Sequence, residues 1–130
     1  MSRRKNPDFT LEVTKWLNSL RDSLRGVSRW DRVAARIDDL VYDQLGEPDG
    51  LGIHDLGKGL RALTTMPDGT KHPATALTYY VHSVPNQGAV IVFLTVCKGF
   101  TGDELSIRSM SKARNLMEKV KANGNDPSRY

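Results

Sequence analysis

Residues 89–97 read Ala-Val-Ile-Val-Phe-Leu-Thr-Val-Cys and stop at Lys98-Gly99, and this run decides the fold. Broken by a single threonine, it is apolar on both faces, the pattern of a strand in the middle of a sheet with cover on each side. It is too short for a membrane helix, which needs about 20 such residues. Residues 77–84 form a second apolar strand, joined to the first by the turn Pro85-Asn86-Gln87-Gly88. Lys98 stands where the central strand leaves the core, so chemistry is sought first at that junction.

Working outward, Leu60-Arg61-Ala62-Leu63-Thr64-Thr65-Met66 reads as a third strand and Pro67-Asp68-Gly69-Thr70 as a turn. Pro73 excludes a central strand over 71–75. The three strands make an antiparallel meander. Residues 47–59, rich in Gly, Pro and Asp, read as loop with a short turn around 53–56. Upstream, Phe9, Val13, Trp16, Leu17, Leu20 and Leu24 recur at helical spacing and predict an amphipathic helix over 9–25, ended by Gly26. Ser28 caps a second helix, with Asp31 in a weak capping box. Its stripe is Trp30, Val33, Ala34, Ile37, Leu40, Val41 and Leu45, so the pair forms a helical hairpin. Trp16 and Trp30 suit stacking on bases, but both fall on apolar stripes and read as core. After the central strand, Asp103 and Glu104 suit the first turn of a last helix, whose stripe is Met110, Ala113, Leu116, Met117 and Val120. The expected fold is a small two-layer α+β domain over 9–121, an antiparallel sheet packed against an N-terminal helical hairpin and a C-terminal helix. A basic disordered tail (1–8) is expected before it, and a polar tail (122–130) after it.

A chain of 130 residues fits one domain able to bury a core. The single Cys97 excludes an internal disulfide framework, reads as a small core residue and suits a reducing cytoplasm. Residues 1–7 carry charge without an apolar stretch behind them, so no signal peptide is read and a cytoplasmic location is expected. His54, His72 and His82 are scattered, with no partners at ligand spacing, so no metal or cofactor is expected. The 19 Lys and Arg against 15 Asp and Glu give a net charge of +4, but placement matters more. Acidic residues gather at Asp38, Asp39, Asp43, Glu47 and Asp49, whereas Lys98, Arg108, Lys112, Arg114, Lys119 and Lys121 mark the C-terminal third. That asymmetry suits RNA, DNA or an acidic protein partner, and a solvated helix face is the plain alternative.

In this order the chain resembles the RelE/ParE superfamily of bacterial toxins, in the branch of HigB-like and phage-encoded members. The resemblance runs over residues 9–121. It is carried by Trp16-Leu17-Asn18-Ser19-Leu20, by His54-Asp55-Leu56-Gly57-Lys58-Gly59-Leu60-Arg61-Ala62-Leu63, and by Tyr79-Tyr80-Val81 with the run from Val90 to Phe100 and the basic helix after it. The family opens with a short strand at the sheet edge; here residues 1–8 offer little β character beyond Asp8-Phe9-Thr10-Leu11. RNA-cleaving members carry cations along the second strand, where this chain has Ala62 and Thr64, and Lys98 sits at a family basic position.

Metal-independent RNA cleavage needs a base for the 2′-hydroxyl, a cation for the phosphorane and an acid for the leaving oxygen. The resemblance implies that basic side chains share these tasks. Candidates for catalysis are Lys98, Arg108, Arg61 and His72, with Lys58, Lys71, Lys112 and Arg114 for RNA binding; His82 is a further basic group. Lys98 and Arg108 are expected to converge on one phosphate, against the plain reading of two solvated cations. His72, before Pro73, suits a titrating or stacking role, against that of an exposed loop histidine. Arg61 points outward from its strand or marks its solvent face. Tyr79 and Tyr80 alternate, so one of them is expected to be exposed for stacking or hydrogen bonding.

The resemblance implies a toxin of a type II toxin–antitoxin pair, a possible endoribonuclease acting on mRNA at the ribosome and held in check by a cognate antitoxin. A ParE-like toxin binding DNA gyrase, which needs a surface and no acid–base set, is the second reading. A non-catalytic interaction module of the same fold is the third.

Overall fold

The apolar run lies in β5 (Gly88–Phe100), next to the sheet edge, in a computed structural model that describes residues 6–22, 27–42, 53–64, 74–86, 88–100 and 106–130. The other elements in chain order are β1 (Asn6–Phe9), α1 (Leu11–Asp22), α2 (Val27–Val41), β2 (Ile53–Gly57), β3 (Leu60–Thr64), β4 (Ala74–Val84) and α3 (Ile107–Ala122). Among the described residues the sheet has five strands in the order β1-β5-β4-β3-β2, with β1 parallel to β5 and the other pairs antiparallel. The class is α+β, as the pattern predicts.

Both faces of β5 are covered. Ile91, Phe93 and Val96 join Leu77, Tyr79, Leu63 and Ile53 beneath Val13 and Leu20 of α1 and Val33, Ile37 and Leu40 of α2. Val92 and Leu94 face the other way, with Leu60 and Tyr80, under Ala113, Met117 and Val120 of α3. Each Val, Leu, Ile, Phe or Met side chain among them taken fully out of water contributes roughly 1.5–3 kcal/mol before the cost of ordering the chain. The threonine that interrupts the run is matched. A register shift opposes Thr95 to Thr78 and Phe93 to Tyr79, and the two buried threonine hydroxyls bond each other at 2.5 Å.

Several expectations change. Residues 53–57, read as loop, are the edge strand β2, turned onto β3 through Gly57-Lys58-Gly59 with φ of 89°, 54° and 86°. The Asp55 carboxylate accepts from Gly57 N at 2.9 Å and supports that turn. Residues 6–8, assigned to a disordered tail, belong to β1, where Pro7 is tolerated because the strand is an edge. Phe9 stacks on Phe93 with ring centroids 5.3 Å apart, which ties β1 to the core. The end of the chain is also folded: Pro127 is buried, Tyr130 packs on the α3 cluster, and the Tyr80 hydroxyl donates to Asn125 Oδ1 at 2.9 Å. α3 starts at Ile107 behind the cap Ser106, whose hydroxyl oxygen accepts from Ser109 N, so Asp103 and Glu104 lie before it and outside the described residues. Leu24 and Leu45 also lie outside them. Neither Tyr79 (0% exposed) nor Tyr80 (2%) reaches solvent as a stacking platform, because helices cover both faces of β4. Among the described residues no helix is long and apolar enough to cross a membrane.

Candidate functional site

β1 ends at Phe9, and beyond that point the edge of β5 must find other partners. Thr10 supplies the first: its N–H donates to Phe93 O at 3.1 Å and its buried hydroxyl to Leu94 O at 2.7 Å. The same hydroxyl accepts from Val13 N at 3.5 Å, which turns the chain into α1. Two residues further, Glu12 Oε2 accepts the Val96 N–H at 2.8 Å. Its other oxygen meets Lys112 Nζ of α3 at 2.6 Å. A carboxylate from α1 and an ammonium from α3 therefore meet around the open edge of β5.

A cleft of about 410 Å³ forms there, lined by Glu12, Trp16, Val96, Lys98 and Lys112. Trp16 follows Glu12 by one helical turn, which puts both on one side of α1. Lys98 is exposed near the strand end, and among the described residues no hydrogen bond or ion pair engages its side chain. Counting Lys98 and Lys112 as positive and Glu12 as negative, the lining carries one net positive charge.

Of the residues singled out from sequence, Lys98 and Lys112 come together in this cleft. Arg108 is exposed one turn before Lys112 on the same side of α3, so it extends the basic stripe without lining the cleft. Arg114 faces elsewhere: its Nη2 donates to Leu56 O at 2.5 Å and contacts Met110 Sδ at 3.6 Å, fastening α3 to the end of β2. Arg61 sits two strands from β5, opposite Tyr79 in register, and Lys58 is in the β2–β3 turn. His82 pairs with Val90 at the far end of the hairpin from Lys98, its ring 6.1 Å from that of Tyr80. Lys71 and His72 lie outside the described residues.

Glu12 was not among the candidates; Trp16, weighed for base stacking and read as core, packs partly against the core under α1 while its open side lines the cleft. Glu12 reads locally as a first-turn acid and Trp16 as core; only the parallel pairing of β1 with β5 carries them to Lys98.

Away from the cleft, a row of register partners crosses the whole sheet: Asp55, Arg61, Tyr79, Phe93 and Phe9. Burial pushes the Tyr79 hydroxyl up to about 12, an effect partly offset by the Arg61 guanidinium beside it. Among the described residues no group of normal hydrogen-bond geometry satisfies that hydroxyl. Tyr80 is likewise pushed up to about 12 by burial, with Asp8 adding to the effect, and Lys121 Nζ lies 5.3 Å from its ring centroid. Among the described residues no group of three or more His, Cys, Asp and Glu side chains is placed to hold a metal ion.

No family model, no curated protein and no solved structure matches the chain.

Proposed function

We propose that this protein is a toxin of the RelE/ParE kind that binds and cleaves RNA in the cytoplasm, using the cleft at the exit of β5. The observation that carries the reading is the convergence of Lys98, Lys112 and Trp16 there. Two ammonium groups suit a phosphate backbone, and an indole suits an unstacked base. The short strand β1 at the sheet edge also supports it, since the resembling family opens with such a strand. A cognate antitoxin with an acidic segment neutralises the toxin by covering Lys98, Lys112 and Arg108.

Induced expression is the test. Growth arrest with cleaved transcripts, lost in the Lys98→Ala, Lys112→Ala double variant, supports the reading. Arrest with every translated mRNA intact sinks it.

One observation favours the gyrase-binding reading: β3 offers no cation at Ala62, which is buried, or at Thr64. Inhibition of supercoiling by purified protein that leaves RNA uncut chooses that alternative.

A further inference from the structure

We infer that Glu12 is the general base of the β5 cleft, and that the substrate is single-stranded RNA whose base lies against Trp16. The inference rests on the RNA reading of the same cleft and gives it a reaction. Glu12 is the sole carboxylate among the described lining residues. Its place is set by the sheet and not by a flexible arm, because Oε2 is held by the Val96 N–H at 2.8 Å. That backbone bond leaves Oε1 to do chemistry.

At rest Oε1 is engaged by Lys112 at 2.6 Å, but the two side chains are 61% and 33% exposed for Lys112 and Glu12. A pair so open to water is weakly held. A phosphodiester entering the cleft draws Lys112 onto a non-bridging oxygen, and Oε1 is released within a site that already holds the phosphate. Lys98, with no partner among the described residues, stands on the same cleft as the second cation.

The step balances with these groups alone. Glu12 Oε1 takes the proton of the ribose 2′-hydroxyl while the 2′-oxygen forms a bond to phosphorus. The bond from phosphorus to the 5′-oxygen breaks, and that oxygen takes a proton from the Lys98 ammonium. The products are a 2′,3′-cyclic phosphate and a 5′-hydroxyl; Glu12 then returns its proton to water and Lys98 regains one from it. DNA, lacking the 2′-hydroxyl, binds but is not cut.

The test is cleavage of a defined mRNA by the full chain, both free and in a reconstituted translation system, with end-group analysis. Glu12→Gln keeps an oxygen for the Val96 N–H but cannot take the proton. The expected result is cleavage slowed by about 100-fold or more, with RNA affinity equal to wild type or tighter. Cleavage by Glu12→Gln within about threefold of wild type overturns the base role while leaving the RNA reading intact. A wild-type protein that cuts no RNA overturns both. If thermal unfolding shows that Glu12→Gln does not fold, Glu12→Asp decides, because its shorter arm cannot hold the Val96 N–H and reach the 2′-hydroxyl together: cleavage within about threefold of wild type overturns the inference, and a larger loss with RNA affinity kept upholds it.

Discussion

Tyr79 is fully buried and among the described residues its hydroxyl has no hydrogen-bond partner of normal geometry, only the Arg61 guanidinium beside it, so it carries a desolvation cost that a phenylalanine would not. Tyr79→Phe is therefore expected to hold or raise stability, by up to about 1 kcal/mol in urea unfolding, where most buried substitutions lower it. Alkaline pH reads the same residue. With Tyr79 and Tyr80 both pushed up to about 12, the native state keeps protons that the unfolded chain loses near 10. Their contribution is whole below pH 10 and is lost as pH rises from 10 to 12. Unfolding measured across that window should show stability falling with pH, less steeply in Tyr79→Phe. The Glu12–Lys112 pair behaves differently. Being exposed, it adds at most about 1 kcal/mol, so Lys112→Ala should leave the melting temperature almost unchanged while weakening RNA binding.

At the level of elements, the docking of α3 and the tight β2–β3 turn are the parts most open to test. Met117 is buried between α3 and the sheet beside Leu60 and Val92, so Met117→Ala should cost about 2–5 kcal/mol, seen as a lower urea midpoint. Gly59 has a φ of 86° that side chains rarely adopt, and Gly59→Ala should cost about 1 kcal/mol although nothing would touch the added methyl. These elements were unequally legible from sequence. The helices and the β4–β5 hairpin follow from periodicity: Val13, Leu20, Val33, Ile37, Ala113, Met117 and Val120 are the residues their stripes bury. β2 was hidden because Ile53-His54-Asp55-Leu56-Gly57 is short, half polar and set among turn formers. β1 was hidden because Asn6-Pro7-Asp8-Phe9 has almost no strand propensity of its own. It is a strand because Phe9 finds Phe93, a partner 84 residues away.

Across the whole molecule, the sheet gathers the cleft from three elements distant in sequence. Lys98 was legible because a charge ending an apolar run must emerge from the core. The C-terminal basic helix was legible as a charged stripe, but not that Arg114 would fasten α3 to Leu56 while Lys112 reached Glu12. Glu12 was not legible and Trp16 was read as core, since only the parallel pairing of β1 with β5 brings the start of α1 to the end of β5. The central claim is that this cleft, and not the β2–β3 turn with Lys58, holds the RNA. The most direct measurement is the salt dependence of binding to a single-stranded oligoribonucleotide. The Lys98→Ala, Lys112→Ala variant should lower the slope of log K against log salt by about 1.4, two contacts at about 0.7 each, whereas Lys58→Ala leaves it unchanged. A slope untouched by the double variant and lowered by Lys58→Ala would contradict the account.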